Sequence, residues 1–184
     1  MRRKAFTLLE VMAVVTLMGL LAGATAWSLA QDARKSSRAK VVADIAHADR
    51  MARLAAGQGG QACRLRFDLD HQRLCRLTGP DDEAQQAHAM TLPKGCRIDR
   101  VVTAGPDLAG DTSGATTIAF SSAGRSDSYA VRVVFEDGAT GKDATDGLGE
   151  SVWIVFAGLT GQTTLVSDED QLDKLFAAER PDAS

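Results

Sequence analysis

Glu10 stands at the head of a run, residues 11–30, that contains no other charged side chain. A carboxylate in such a place costs several kcal/mol in an apolar medium unless a cation meets it. Its chemistry is ion pairing, and the partner has to come from outside the run. The remaining reactive residue types do not gather. His47, His71 and His88 have no metal-ligand spacing and read as surface histidines. Asp68 and Asp70 flank a turn, which accounts for both. Residues 138–142 end in Gly141-Lys142, but no glycine occupies the first position of a phosphate loop, and Asp143 stands where Ser or Thr is required. No G-x-S-x-G occurs before a helix. The expectation is a protein that is not an enzyme and uses no cofactor or metal.

The elements that carry Glu10 are plain. Arg2, Arg3 and Lys4 precede it, and the twenty uncharged, mostly apolar residues 11–30 follow. At about 1.5 Å per residue such a helix covers roughly 30 Å, the thickness of a bilayer core. The basic flank stays cytoplasmic by the positive-inside rule. An ordinary cleavable signal peptide is the competing reading: Ala24-Thr25-Ala26 offers a cleavage site and a mature start at Trp27. That reading leaves Glu10 without a purpose. A snorkelling carboxylate at the membrane edge is the other alternative for Glu10.

The segment Lys4-Ala5-Phe6-Thr7-Leu8-Leu9-Glu10-Val11 resembles the class III signal of type IV pilins and type II secretion pseudopilins. That resemblance implies cleavage between Ala5 and Phe6 by a prepilin peptidase and N-methylation of Phe6. It also implies an assembly pair, Glu10 of one subunit meeting the free amine of Phe6 in the next. The usual residue before the cut is Gly, and here it is Ala5, the mildest replacement.

Residues 31–56 contain neither Pro nor Gly. Val41, Val42, Ile45, Ala48, Ala52 and Ala55 fall at helical spacing, with Arg34, Lys35, Arg38, Lys40, Asp44, Asp49, Arg50 and Arg53 in the polar positions. Gly57, Gly59 and Gly60 end the helix near Ala56. Gly19 and Gly23 form a G-x-x-x-G step in its apolar half. The period then changes to strands at 62–67, 74–77, 96–102, 116–120, 129–135, 151–156 and 162–166, separated by loops rich in Gly, Asp and Ser. Leu172, Leu175 and Phe176 permit a short helix in the acidic end. Cys63 and Cys75 fall on one face of the first hairpin and form the candidate disulfide. Cys96 replacing one of them, or three reduced thiols, are the alternatives.

Leu92-Pro93-Lys94-Gly95-Cys96-Arg97-Ile98, Thr117-Ile118-Ala119-Phe120 with Ser122-Ala123-Gly124, and residues 153–165 with Gly158-Leu159-Thr160-Gly161 resemble, in order, segments of the H-type minor pseudopilins and their FimT relatives. Asp137, Asp143 and Asp146 match no calcium-loop template, unlike the acidic loop of the major G type, and read as a solvated loop. Some FimT-like pilins bind DNA through basic residues near the carboxyl end. The corresponding residues 161–165 have no Arg or Lys. Without Arg2, Arg3 and Lys4 the chain has 18 positive and 24 negative side chains. Phosphate affinity rests on cations, so nucleic acid is disfavoured, with Arg64, Arg66, Arg73 and Arg76 as the one local basic patch.

The expected architecture is α+β and pilin-like: a leader at 1–5, a membrane and filament-core helix at 6–30 and its amphipathic continuation at 31–60. A β-rich antiparallel periplasmic head at 61–166 and an acidic tail at 167–184 complete it. The resemblance implies a minor pseudopilin of a type II secretion system, a single-pass protein of the bacterial inner membrane. Its partners would be other pseudopilins or pilins, prepilin peptidase, the inner-membrane assembly platform and secreted cargo. A minor pilin of a type IV pilus is the alternative, and a secreted β-domain binding protein is a third.

Overall fold

In a computed structural model of the chain, the described residues are 8–60, 62–79, 85–104, 110–135 and 150–179. Ala5, Phe6 and the loop with Asp137, Asp143 and Asp146 lie outside them. The order is α1 (Leu8–Gly59), β1 (Cys63–Asp68), β2 (Arg73–Thr78), β3 (Gln85–Thr91), β4 (Cys96–Thr103), β5 (Ala115–Phe120), β6 (Tyr129–Phe135), β7 (Glu150–Phe156), β8 (Thr163–Val166) and α2 (Glu169–Glu179). The chain forms two units, residues 1–40 and residues 41–184.

The first unit contains the apolar part of α1. From Glu10 to Leu29 it has a mean hydropathy of 1.7 and none of it is buried. Its two threonine hydroxyls are satisfied within the helix: Thr16 Oγ1 donates to Met12 O at 2.7 Å, and Thr25 Oγ1 to Ala22 O at 2.9 Å. A helix apolar on every side suits an apolar surrounding.

The second unit is an α+β head. Residues 41–59 of α1 bury Val41, Ile45, Ala52 and Ala56. The small Ala52 and Ala56 let the helix backbone approach the sheets. The helix runs three residues past Ala56 and ends where Gly60 adopts a φ of 60°, a left-handed cap that favours glycine. Two antiparallel sheets follow, ordered β3-β2-β1-β5 and β4-β6-β7-β8. On β1 the alternation is as expected, with Cys63, Leu65 and Phe67 facing the core. Gln72, at a φ of 51°, clasps the sheets together. Its Oε1 accepts from Ile98 N at 2.6 Å, and its Nε2 donates to Ile98 O at 3.0 Å.

The second sheet is covered on both faces, so nearly all of β6 is apolar and buried. Tyr129, Val131, Val133 and Phe135 face the main core. Ala130, with Val102, Trp153, Val155 and Val166, faces Leu172 and Phe176 of α2. The acidic end therefore contributes a structural helix. Leu172 and Phe176 are each 2% exposed, whereas Leu175, which shares their spacing, is 40% exposed. Asp168 caps α2 by accepting from Asp170 N at 3.3 Å, and Arg100 pairs with Glu169 at 2.8 Å.

Strand β3 was not expected. Its sequence, Gln-Gln-Ala-His-Ala-Met-Thr, is poor in β-branched and aromatic residues. A register shift opposite Arg76 and Leu77 also interrupts its alternation. Pairing with β2, the preceding strand, is what makes it a strand.

Candidate functional site

The first candidate site is the start of α1. Glu10 lies in its first turn and is exposed, as are Val11, Met12, Val14, Val15, Leu17, Met18, Leu20 and Leu21. A methyl group added at Gly19 or Gly23 would meet nothing within 4 Å. These glycines are thus not required by packing within the chain, and they leave the helix surface open to close approach.

The second site is a polar cluster inside the head. Asp49 and Arg53, expected on the solvent face of α1, both point inward: Asp49 is 1% exposed, and the Arg53 side chain is mostly buried. Arg53 Nε donates to Asp49 Oδ2 at 2.8 Å, and the Tyr129 hydroxyl donates to Asp49 Oδ1 at 2.8 Å. The Arg53 guanidinium then reaches the loops beyond β5 and β7. It donates to Gly158 O at 2.7 Å, Gly124 O at 3.3 Å and Ser126 Oγ at 3.1 Å, and stacks 5.2 Å from the Phe120 ring centre. One ion pair on consecutive helix turns therefore joins α1 to both sheets. A buried charge is tolerable when every lone pair and proton is met, as it nearly is here.

Tyr129 stacks on Phe156 at 4.6 Å and meets Phe67 edge-on at 6.0 Å. Burial, then the neighbouring Asp49 carboxylate, pushes its phenol well above the usual range. Because the folded value exceeds the unfolded one, this contribution to stability is whole below the ordinary tyrosine pKa, about 10. It is lost as pH rises above it, at a limiting slope of about 1.4 kcal/mol per pH unit. Tyr129 is the sole tyrosine of the chain, so tyrosinate absorbance reports this residue alone. We expect no tyrosinate signal in the native protein until it unfolds, and a shallower alkaline loss of stability in Tyr129→Phe. Tyrosinate appearing near pH 10 while the fold persists would refute the buried hydrogen bond.

The register sets the candidate pair, Cys63 and Cys75, apart. Cys63 is opposite Thr78, and Cys75 is opposite Arg66. Cys63 faces the core on one side of the sheet and Cys75 lies on the other, so the two are not cross-strand neighbours. Among the described residues no disulfide joins Cys63, Cys75 or Cys96. The offset arises because the β1–β2 turn pairs Asp68 with Arg73, which places residues differing by an odd number from Cys75 opposite the core-facing positions. Burial pushes the Cys63 thiol up, with Arg76 and Arg64 acting against it.

The basic patch divides for the same reason. Arg64, Arg66 and Arg73 share one face of the sheet, while Arg76, opposite Leu65, is on the core-facing side. Asp68 and Asp70 serve the turn. Asp68 accepts from the His71 backbone N–H at 2.9 Å and from its ring, which together hold its carboxyl below the usual range. Asp70 accepts from Gly114 N at 3.1 Å. Among the described residues no three His, Cys, Asp or Glu side chains converge as a metal site.

The prokaryotic N-terminal methylation motif matches residues 1–26. No curated protein matches the chain. Among solved structures, a crystal structure of the minor pseudopilin EpsH from the type II secretion system of Vibrio cholerae is similar, with 15% identity and a TM-score of 0.50. The match covers 69% of this chain and 93% of that one. A second structure of EpsH has 16% identity and a TM-score of 0.46, covering 69% and 94%. This chain thus joins the prokaryotic N-terminal methylation motif to a pilin-like α+β fold resembling that of a minor pseudopilin.

Proposed function

We propose that this chain is a structural minor pseudopilin of a type II secretion system, without catalytic activity. The observation that carries the reading is a methylation motif, on residues 1–26, that overlaps a helix whose apolar span, Glu10–Leu29, is wholly unburied. So much exposed apolar surface has to be covered by lipid or by like helices. The pseudopilin-like head favours secretion over a type IV pilus.

In this reading prepilin peptidase removes residues 1–5 and Phe6 is methylated. The helix resides in the inner membrane with the head in the periplasm, and the assembly platform moves it into the filament. There Glu10 meets the Phe6 amine of a neighbour. The pair neutralises two charges that the apolar bundle would otherwise hold uncompensated, and so selects one axial register.

The test is the intact mass and amino-terminal sequence of the protein from its native membrane, together with the variant Glu10→Leu. We expect a start at N-methyl-Phe6. For Glu10→Leu we expect normal membrane insertion and at least a tenfold loss of recovery with the filament. A soluble protein starting at Trp27 would overturn the reading. So would a Glu10→Leu variant that assembles like the parent.

A further inference from the structure

A cavity of about 250 Å³ lies between α1 and the sheet, walled by Asp44, His47 and Met51 on the helix and by Arg76, His88 and Met90 on β2 and β3. Its floor is apolar, from Ala48, Leu65 and Leu74. Arg76 supplies the guanidinium of the cavity. It occupies a core-facing position of β2, opposite Leu65 on one side and His88 on the other. Its Nε is shielded from solvent and has no hydrogen-bond partner. A shielded guanidinium N–H gains from an acceptor that a ligand brings to it. Asp44 stands on the facing wall, and among the described residues no ion pair joins it to Arg76.

The strand beside the cavity is the last of its sheet, with no partner on its outer side among the described residues. In β3, His88 pairs with Arg76 and Gln86 with Leu77, so Ala87 is an extra residue in a bulge. Ala87, His88 and Met90 all line the cavity. Bulges re-aim side chains at sheet edges, and here the bulged residue carries only a methyl group, which leaves the mouth open.

The geometry points to a docking site for an extended segment of another protein chain. The segment adds as a strand along β3, inserts one aliphatic side chain into the cavity, and places a carbonyl or carboxylate oxygen on Arg76. An open sheet edge supplies backbone hydrogen bonds, and alternate side chains of the added strand reach the mouth. A donor on one wall and an acceptor on the other match the amide groups of a peptide. A fatty acid brings an acceptor only and offers Asp44 no donor. The site lies within residues 41–184, and its test does not depend on how the amino terminus is processed.

The chain has five methionines, and two of them, Met51 and Met90, line the cavity. The experiment uses the full chain in lipid nanodiscs with 13C-labelled methionine methyls, with Met12 and Met18 as internal references. The probes are acetyl-Ser-Leu-Thr-Leu-Ser-amide, the same peptide with proline replacing the central threonine, and octanoate, each to millimolar concentration. We expect the first peptide to shift Met51 and Met90 and not Met12 or Met18. The proline peptide and octanoate bind at least tenfold more weakly, and Arg76→Gln and Ala87→Trp each weaken the first peptide at least tenfold. Ala87→Trp fills the mouth at an exposed edge position, so it serves should Arg76→Gln disturb the native methyl spectrum. Unmoved Met51 and Met90 signals would overturn the proposal. So would equal binding of octanoate or the proline peptide, or undiminished binding to Ala87→Trp.

Discussion

Asp49→Ala is expected to cost about 3–5 kcal/mol of stability, the range for removing one partner of a buried ion pair. The substitution leaves Arg53 Nε without its acceptor at 2.8 Å and the Tyr129 hydroxyl without its own. Both groups are shielded from water, so solvent does not replace the carboxylate. For a head of this size the loss lowers the midpoint of thermal unfolding by about 10 °C or more. Arg53→Met alone costs a similar amount, because Asp49 is then the uncompensated charge. The double variant Asp49→Ala/Arg53→Met falls short of the sum by about 1–3 kcal/mol, the coupling expected of residues in one network. Thermal unfolding of the four proteins, followed by intrinsic fluorescence, measures this. Strictly additive effects, or a loss under about 1 kcal/mol for Asp49→Ala, would show that the cluster does not hold the helix to the sheets.

Gly158→Ala is expected to cost about 3 kcal/mol, the upper end for overpacking. The cause is backbone against backbone. A methyl group at this position would press into the Ser126 carbonyl oxygen and stand 2.7 Å from both Asp127 C and Ser128 N. None of these atoms is the yielding end of a side chain. Any shift of Gly158 also disturbs its carbonyl, which accepts from Arg53, and its N–H, which donates to Ser128 Oγ at 2.8 Å. Gly57→Ala is the matched control. A methyl there meets nothing within 4 Å, and alanine in a helix gains roughly 0.5–1 kcal/mol over glycine. Denaturant midpoints moving in opposite directions for the two variants would establish the contact, whereas a neutral Gly158→Ala would contradict it.

The apolar segment at the amino terminus was almost wholly legible. The uncharged run, the lone Glu10 and the basic flank are local properties, and a membrane-length helix follows from composition and the 1.5 Å rise alone. The strands with strict alternation were legible for the same reason: residues 129–135 coincide with β6, and Leu65 and Phe67 face the core as their spacing required. Gly158 was recognisable as part of a motif, although the reason for it, the approach of Ser126 from 32 positions away, was not.

What remained hidden depended on partners distant in the chain. Helical periodicity placed Asp49 and Arg53 on a polar face. Only the second sheet, bringing Tyr129 and the Gly158 carbonyl to that face, makes their burial tolerable. Register likewise separated Cys63 from Cys75 and turned Arg76 inward, because a strand's period of two reveals that its faces differ and not which residues oppose them. Strand β3 exists through its neighbour β2, and α2 packs because the outer face of the second sheet offers Trp153 and Val155 to Leu172 and Phe176. The sequence by itself determined the apolar helix, most element types and the alternating faces, which are written in short-range spacing. The tertiary structure decided pairing, register and which polar groups are buried, because each of these is a free-energy balance between residues that meet only once the chain has folded.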